Sequence, residues 1–225
     1  LGDVYKRQDD EIVLCLNYDG LYGINNINKF LQSNNPNPSV RIGVQTYKVG
    51  DPILFNESNR FAPLIYNNLK GKILAIEEKE DCVYFTIEIY MVVNELDVSG
   101  LDLVLLDSVA ENTSVICFKV DLQNDGDEDD DNLDAIVPFQ IAYAVSIHKA
   151  QGLEYDSVKI VITNEIEEMV SHNIFYTAIT RAKEKLKIYW SPETEKRVLE
   201  NMKEQFNDKD YRLFKEKFKS ELNLT

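Results

Sequence analysis

Residues 144–155 read AVSIHKAQGLEY and run straight into the apolar stretch Ser157–Ile162, SVKIVI. A second stretch, Phe175–Lys183, reads FYTAITRAK and runs into Leu186–Trp190, LKIYW. Both apolar runs are short, rich in β-branched residues and bounded by polar segments, which reads as buried strands. The first stretch puts a hydroxyl, an imidazole and an ammonium (Ser146, His148, Lys149) in the loop after the strand-like Ala142–Val145. Gly152 and Glu154 follow just before the next strand. Loops at strand ends are where α/β domains bind ligands. The second stretch has helical periodicity over Ser171–Lys183, with Ile174, Ala178 and Ala182 along one side. Thr177 and Arg181 are four residues apart, as are Tyr176 and Thr180, so each pair shares a helix face. An arginine presented by a helix near a domain edge takes a phosphate bidentately.

Upstream, Glu11–Leu16 (EIVLCL) reads as another buried strand. A turn over Gly20–Gly23 leads to an amphipathic helix carrying Ile24, Ile27, Phe30 and Leu31 and ending before Asn34–Pro38. From Arg41 to about Lys119 the texture changes to short runs rich in Val, Ile, Tyr and Phe. Lys72–Ile76 and Val83–Ile89 form a strand pair across the turn Glu77–Asp81, and Leu103–Leu106 and Val115–Val120 form later strands. That spacing predicts a small β barrel or sandwich. Ser191-Pro192-Glu193 starts a helix running to about Phe206, with a last helix over Asp208–Leu222. The order α/β, small β unit, α/β again suggests one domain interrupted by another.

Charge is uneven. The net charge of −15 lies entirely in residues 1–145, with 10 Lys and Arg against 25 Asp and Glu, while residues 146–225 carry 14 of each. Eight acidic residues and no basic one lie between Asp121 and Asp134, a run that reads as a solvated linker. The run lacks the order of an EF-hand loop, so no metal site is expected. The three cysteines, Cys15, Cys82 and Cys117, are far apart in apolar runs and read as buried thiols of a reducing compartment. No apolar run reaches the roughly 18–20 residues of a membrane span, and no secretory leader is recognised, so a cytoplasmic location without membrane contact is expected. Leu1–Gln8 is expected to be non-native, because DVYKRQ is the in-frame translation of a transposase end sequence used in library preparation.

The two motif-bearing stretches resemble motifs V and VI of superfamily-1 helicases, closest to the RecD-like (UvrD/RecD-type) branch. There a segment of the type HKxQGxEF precedes an apolar strand and YTAxTRA lies on the last motor helix. Leu14–Gln32 is similar to the region containing motif IV, and Gly50-Asp51 with Asn67–Ile73 looks like the branch's inserted SH3-like barrel. The resemblance implies an α/β fold: a RecA-like (P-loop NTPase-type) second motor domain over 9–40 and 137–225. A small SH3-like β barrel (41–120) and an acidic linker (121–136) interrupt it. It implies ATP with Mg2+ as cofactor, single-stranded DNA as partner, and 5′ to 3′ movement. Arg181 is implied as the arginine finger, with Gln151, Gly152 and Glu154 on the nucleotide side and Glu154 near the ribose. Ser146, His148 and Lys149 are implied to face DNA, and Tyr176, Thr177 and Thr180 to couple the two sites. No G-x-x-x-x-G-K-[ST] loop and no acidic magnesium site occur in the 225 residues. The ATP-gripping half is therefore expected on an N-terminal motor domain of the same protein. Asn17-Tyr18-Asp19-Gly20 lacks the basic residue usual in motif IV, and Asn68-Leu69-Lys70-Gly71 stands where an Asn-Gly-acid turn is usual. The alternative is a non-hydrolysing interaction or nucleic-acid-binding module with a RecA-like fold.

Overall fold

A computed structural model describes residues 11–56, 60–107, 110–122, 136–164 and 170–200. Leu1–Gln8, most of the acidic run and the helix expected over Asp208–Leu222 lie outside the described residues. The chain divides into two compact units, one formed by Leu1–Asn26 with Val145–Thr225 and the other by Ile27–Ala144.

The first unit is mixed α/β around a four-stranded sheet. Its strands are β1 (Glu11–Cys15), β10 (Ala144–Ser146), β11 (Tyr155–Val161) and β12 (Ala182–Tyr189), in the order β10-β1-β11-β12. β1 and β11 are parallel, with Ile12 opposite Val158 and Leu14 opposite Ile160; β11 and β12 are also parallel, with Val158 opposite Leu186 and Ile160 opposite Ile188. That register stacks Ile12, Leu14, Val158 and Ile160 on one face, and all four are buried. Each such aliphatic side chain contributes about 1.5–3 kcal/mol on leaving water. Parallel neighbours need a long crossover, supplied between β11 and β12 by α2 (His172–Ile179). The Ser171 hydroxyl caps α2 by accepting the Ile174 N–H at 3.3 Å. Ala178 is its fully buried position, and Phe175 stacks on Trp190 with ring centres 6.0 Å apart. A helical stretch over 192–200 follows the Ser191 cap.

The second unit is antiparallel. Helix α1 (Ile24–Ser33) crosses its boundary, followed by β2 (Ser39–Ile42), β3 (Gln45–Lys48), β4 (Pro52–Phe55), β5 (Lys70–Glu78), β6 (Cys82–Ile89), β7 (Val104–Leu106), β8 (Ser114–Asp121) and β9 (Phe139–Ile141). β2 and β3 form a hairpin, and the other six strands form one sheet in the order β7-β8-β6-β5-β4-β9. β6 alternates strictly between half-buried and buried positions, the pattern of a strand with one face on a core. The core is aromatic: Phe85 meets Phe139 edge-on at 5.1 Å and Tyr47 at 5.5 Å, and Phe61 lies 5.0 Å from Phe118. Gly71 is required for close packing, since a β-carbon there would lie 2.9 Å from the Glu88 carbonyl oxygen of β6.

Candidate functional site

The first motif-bearing loop leaves β10 at Ser146. The Ile147 N–H donates to the Cys15 carbonyl at 3.2 Å, tying the start of the loop to the end of β1. The loop then winds into a compact turn. The Ser146 carbonyl accepts the Ala150 N–H at 3.1 Å, the His148 carbonyl accepts that of Gln151 at 3.2 Å, and the Ala150 carbonyl accepts that of Leu153 at 3.0 Å. The Ser146 side chain is buried and its hydroxyl oxygen accepts the Lys149 N–H at 3.1 Å, so it caps this turn from inside. His148, Gln151 and Glu154 are exposed; Lys149 is half-buried, and its ammonium is pushed below the usual lysine pKa by desolvation. Gly152 adopts φ +83° with open space around its α-carbon, so glycine is needed there for conformation alone.

The second motif-bearing stretch ends α2 on a network of side chains. The Thr180 hydroxyl donates back to the carbonyls of Tyr176 at 2.8 Å and Thr177 at 3.1 Å. Arg181 folds over the same helix end: Nε donates to the Thr177 carbonyl at 2.9 Å and Nη2 to the Thr180 hydroxyl oxygen at 3.1 Å. Its Nη1 donates to the Leu153 carbonyl at 3.0 Å, in the first loop. The Tyr155 N–H donates to the Arg181 carbonyl at 2.9 Å, opening the ladder between β11 and β12. The two motifs, 28 residues apart at Leu153 and Arg181, therefore meet at the edge where these parallel strands begin. Lys183 and Glu154 make an exposed ion pair across the same junction at 3.5 Å. An exposed pair contributes little to stability, at most about 1 kcal/mol. Among the described residues no carboxylate lies within ion-pair distance of Arg181; its recorded acceptors are two carbonyls and a hydroxyl. Tyr176 is exposed on α2, and Thr177 is half-buried.

The structure thus brings Leu153, Glu154, Thr177, Thr180 and Arg181 together, and places His148 and Lys149 within the same turn. The sequence gives no sign of the Leu153 carbonyl, because a backbone acceptor leaves no trace in residue type. The loop after β1 is also closed on itself: the carbonyls of Asn17 and Tyr18 accept the N–H groups of Ile24 and Asn25 at 3.0 and 3.1 Å. The first turn of α1 therefore spends its donors on its own loop, and none of the side chains there is basic. Among the described residues no three His, Cys, Asp or Glu side chains stand together as a metal-holding group. The two loops together present a guanidinium that meets no carboxylate among the described residues, an exposed acid and a glycine turn.

Residues 141–189 match the UvrD-like helicase C-terminal domain. Over 198 residues the chain is 24% identical to the RecD subunit of the RecBCD enzyme from Buchnera aphidicola subsp. Schizaphis graminum, covering 86% of this chain and 27% of that protein. It is 37% identical over 49 residues to the RecD subunit from Mycobacterium tuberculosis, covering 22% of this chain and 8% of that protein. Among solved structures, Pif1 helicase from Candida albicans is similar with a TM-score of 0.43 and 14% identity, over 81% of this chain and 46% of that one. The chain spans 27% and 24% of the length of the two Buchnera RecD relatives it matches. The family match takes in both motif-bearing loops and the strands that bring them together. Residues 141–189 are thus similar to the UvrD-like helicase C-terminal domain, and the chain as a whole is similar to RecD subunits of the RecBCD enzyme.

Proposed function

We propose that the chain is the C-terminal motor part of an ATP-dependent DNA helicase that moves 5′ to 3′ along single-stranded DNA. In this reading the four-stranded α/β unit is the RecA-like second motor domain, and the antiparallel unit is an inserted SH3-like module. Boundaries at 9–40, 41–120, 121–136 and 137–225 belong to the same proposal. The observation that carries it is the state of Arg181. Its guanidinium is fixed by three hydrogen bonds at the junction of both motifs, yet among the described residues every acceptor is neutral. Its full positive charge therefore remains to be matched. A phosphate oxygen is a charged acceptor, and such bonds are roughly twice as strong as neutral ones, which favours a phosphate over Leu153 and Thr180 as its acceptor.

ATP with Mg2+, held mainly by the N-terminal motor domain of the same protein, supplies the phosphoryl group whose transfer drives movement. Arg181 acts as the arginine finger, stabilising the charge that develops there; in other phosphoryl-transfer systems such a residue contributes about 10³–10⁵ in rate. Gln151, Gly152 and Glu154 line the nucleotide side, with the exposed Glu154 carboxylate accepting from ribose hydroxyls. His148 and Lys149 contact DNA phosphates without regard to sequence. Ser146 supports them from a buried position by holding the turn that presents them. Tyr176, Thr177 and Thr180 couple the two sites: releasing Arg181 from Thr177 and Thr180 changes the end of α2, and releasing it from Leu153 changes the DNA-facing loop.

The test is single-strand-stimulated ATP hydrolysis by the full-length protein containing this chain, compared with its Arg181→Ala and Arg181→Lys variants. A hundredfold or greater loss in Arg181→Ala, about 3 kcal/mol of barrier, with little recovery in Arg181→Lys, is the expected result. Hydrolysis unaffected by either change removes the finger assignment. An inactive parent protein brings forward the interaction-module reading.

A further inference from the structure

Asp51 lies in the turn between β3 and β4 and is fully buried, but among the described residues its carboxylate is held by four neutral donors and no cation. One oxygen accepts from Asn35 Nδ2 at 2.9 Å and from the Tyr143 hydroxyl at 2.9 Å. The other accepts from Gln32 Nε2 at 2.6 Å and from the Lys48 N–H at 2.8 Å. The Lys48 ammonium goes elsewhere, to the carbonyls of Gln32 at 3.3 Å and Asn35 at 2.7 Å, where it caps the C-terminal end of α1. One turn earlier on the face of Gln32, Asn28 exchanges two hydrogen bonds with the backbone of Ala144. Its Nδ2 donates to the Ala144 carbonyl at 2.9 Å, and its Oδ1 accepts the Ala144 N–H at 2.8 Å. Residues 143 and 144 are thus gripped in succession, one by Asp51 and the next by Asn28.

These two residues lead directly into the loop of the proposed motor. β10 is only Ala144–Ser146, and Ser146 is the residue whose carbonyl and hydroxyl hold the turn over 147–150. A strand of three residues has little ladder of its own to fix its register, and a slip of one residue would send each side chain to the opposite face. An asparagine amide that pairs with the backbone of the first residue, as a neighbouring strand would, removes that freedom. We propose that Asn28, Asp51 and Tyr143 form a clasp that sets the register of β10 and thereby positions the loop Ser146–Glu154. These are positioning residues, and their consequence for ATP turnover rests on the helicase reading above.

Two variants of the full-length protein separate the possibilities. Asn28→Ala removes both bonds to Ala144; Tyr143→Phe keeps the ring and removes only the donor to Asp51. Hydrogen exchange is followed in peptides covering 145–154, with peptides covering Lys70–Ile89 as the control for global stability, alongside basal and single-strand-stimulated ATP hydrolysis. In Asn28→Ala, exchange in 145–154 rises at least tenfold with Lys70–Ile89 unchanged, and stimulation by DNA falls at least fivefold. Tyr143→Phe moves the same readouts in the same direction by less. Unchanged exchange in 145–154, or an equal rise in both sets of peptides, overturns the clasp. So does faster exchange in an active protein whose stimulation by DNA is untouched. If the parent hydrolyses no ATP under any condition, the helicase reading falls, and the exchange result alone decides the clasp.

Discussion

A β-carbon at Gly23 would lie 2.3 Å from the Asp19 carbonyl oxygen and 2.6 Å from that of Tyr18, both backbone atoms that a side-chain rotation cannot move. At Gly152 a β-carbon would meet nothing, and the constraint is the positive φ. The two glycines therefore fail differently when replaced by alanine. Gly23→Ala forces the loop after β1 away from α1 and is expected to destabilise the fold by roughly 1–3 kcal/mol, as overpacking does. Gly152→Ala is expected to lose about 1 kcal/mol from backbone conformation alone. Urea unfolding of both variants checks the order; equal losses would mean that the close approach at Gly23 is not tight. Residue types in a row pointed to Arg181, Glu154 and Gly152 from the sequence, because their chemistry is carried by side chains or by φ. The partners of Arg181, two carbonyls among them, were not legible, nor was the burial of Ser146, whose hydroxyl reads in sequence like any exposed donor.

At the scale of elements, local pattern and long-range pairing compete. The apolar period that predicts a helix through Lys183 is cut short at Ile179, and β12 begins at Ala182, four residues before the expected Leu186. Pairing wins because Ala182 lies opposite Tyr155 at the start of the parallel ladder, and a strand opened there satisfies backbone groups that a continuing helix would leave without partners. The strands β1, β6, β8 and β11 fall close to their expected places, since each is a compact apolar run. The hairpin of β2 and β3 carries no hydrophobic signature, although Gly43, at φ +57°, sits in its two-residue turn. Its strands are polar and half-exposed, so the hydrophobic pattern that marks the others is missing. The contacts of Asn28 with Ala144 bridge 116 residues, a separation at which sequence pattern gives no signal. α2 offers an element-scale prediction. It spans eight residues, too few to be stable alone, and its capping hydroxyl belongs to Ser171. Ser171→Ala is expected to lose about 1 kcal/mol and to loosen Thr180 and Arg181 at the far end, whereas Ser171→Asp keeps the cap. Thermal melts of the two variants distinguish capping from a general effect of substitution.

For the whole molecule, the buried proton-bearing groups set how stability depends on pH. Burial pushes the Cys15 thiol from 9.0 up to about 12 and the Tyr47 phenol from 10.0 up to about 12. The Tyr143 phenol is raised as well, by burial first and then by the Asp51 carboxylate it donates to. In each case the folded state keeps a proton that the unfolded chain gives up. Their contribution is therefore fully present below the unfolded pKa, near 9 for the thiol, and is lost as pH climbs toward 12. Each such proton weakens the fold by about 1.4 kcal/mol per pH unit inside its window. Lys149 acts in the opposite sense, because its ammonium is disfavoured by burial and the penalty disappears as it loses its proton. With three such buried groups against one among the described residues, unfolding midpoints are expected to hold from pH 8 to about 9 and to fall from there to pH 10.5. Cys15 is the first of the three to enter its window, so Cys15→Ala is the informative control. It lowers stability at pH 8 by leaving a cavity at a fully buried position of β1, and its decline from pH 9 to 10.5 is shallower by about one proton. A slope unchanged by the substitution would show that the alkaline loss comes from the tyrosines and from repulsion among the acidic residues of 1–145.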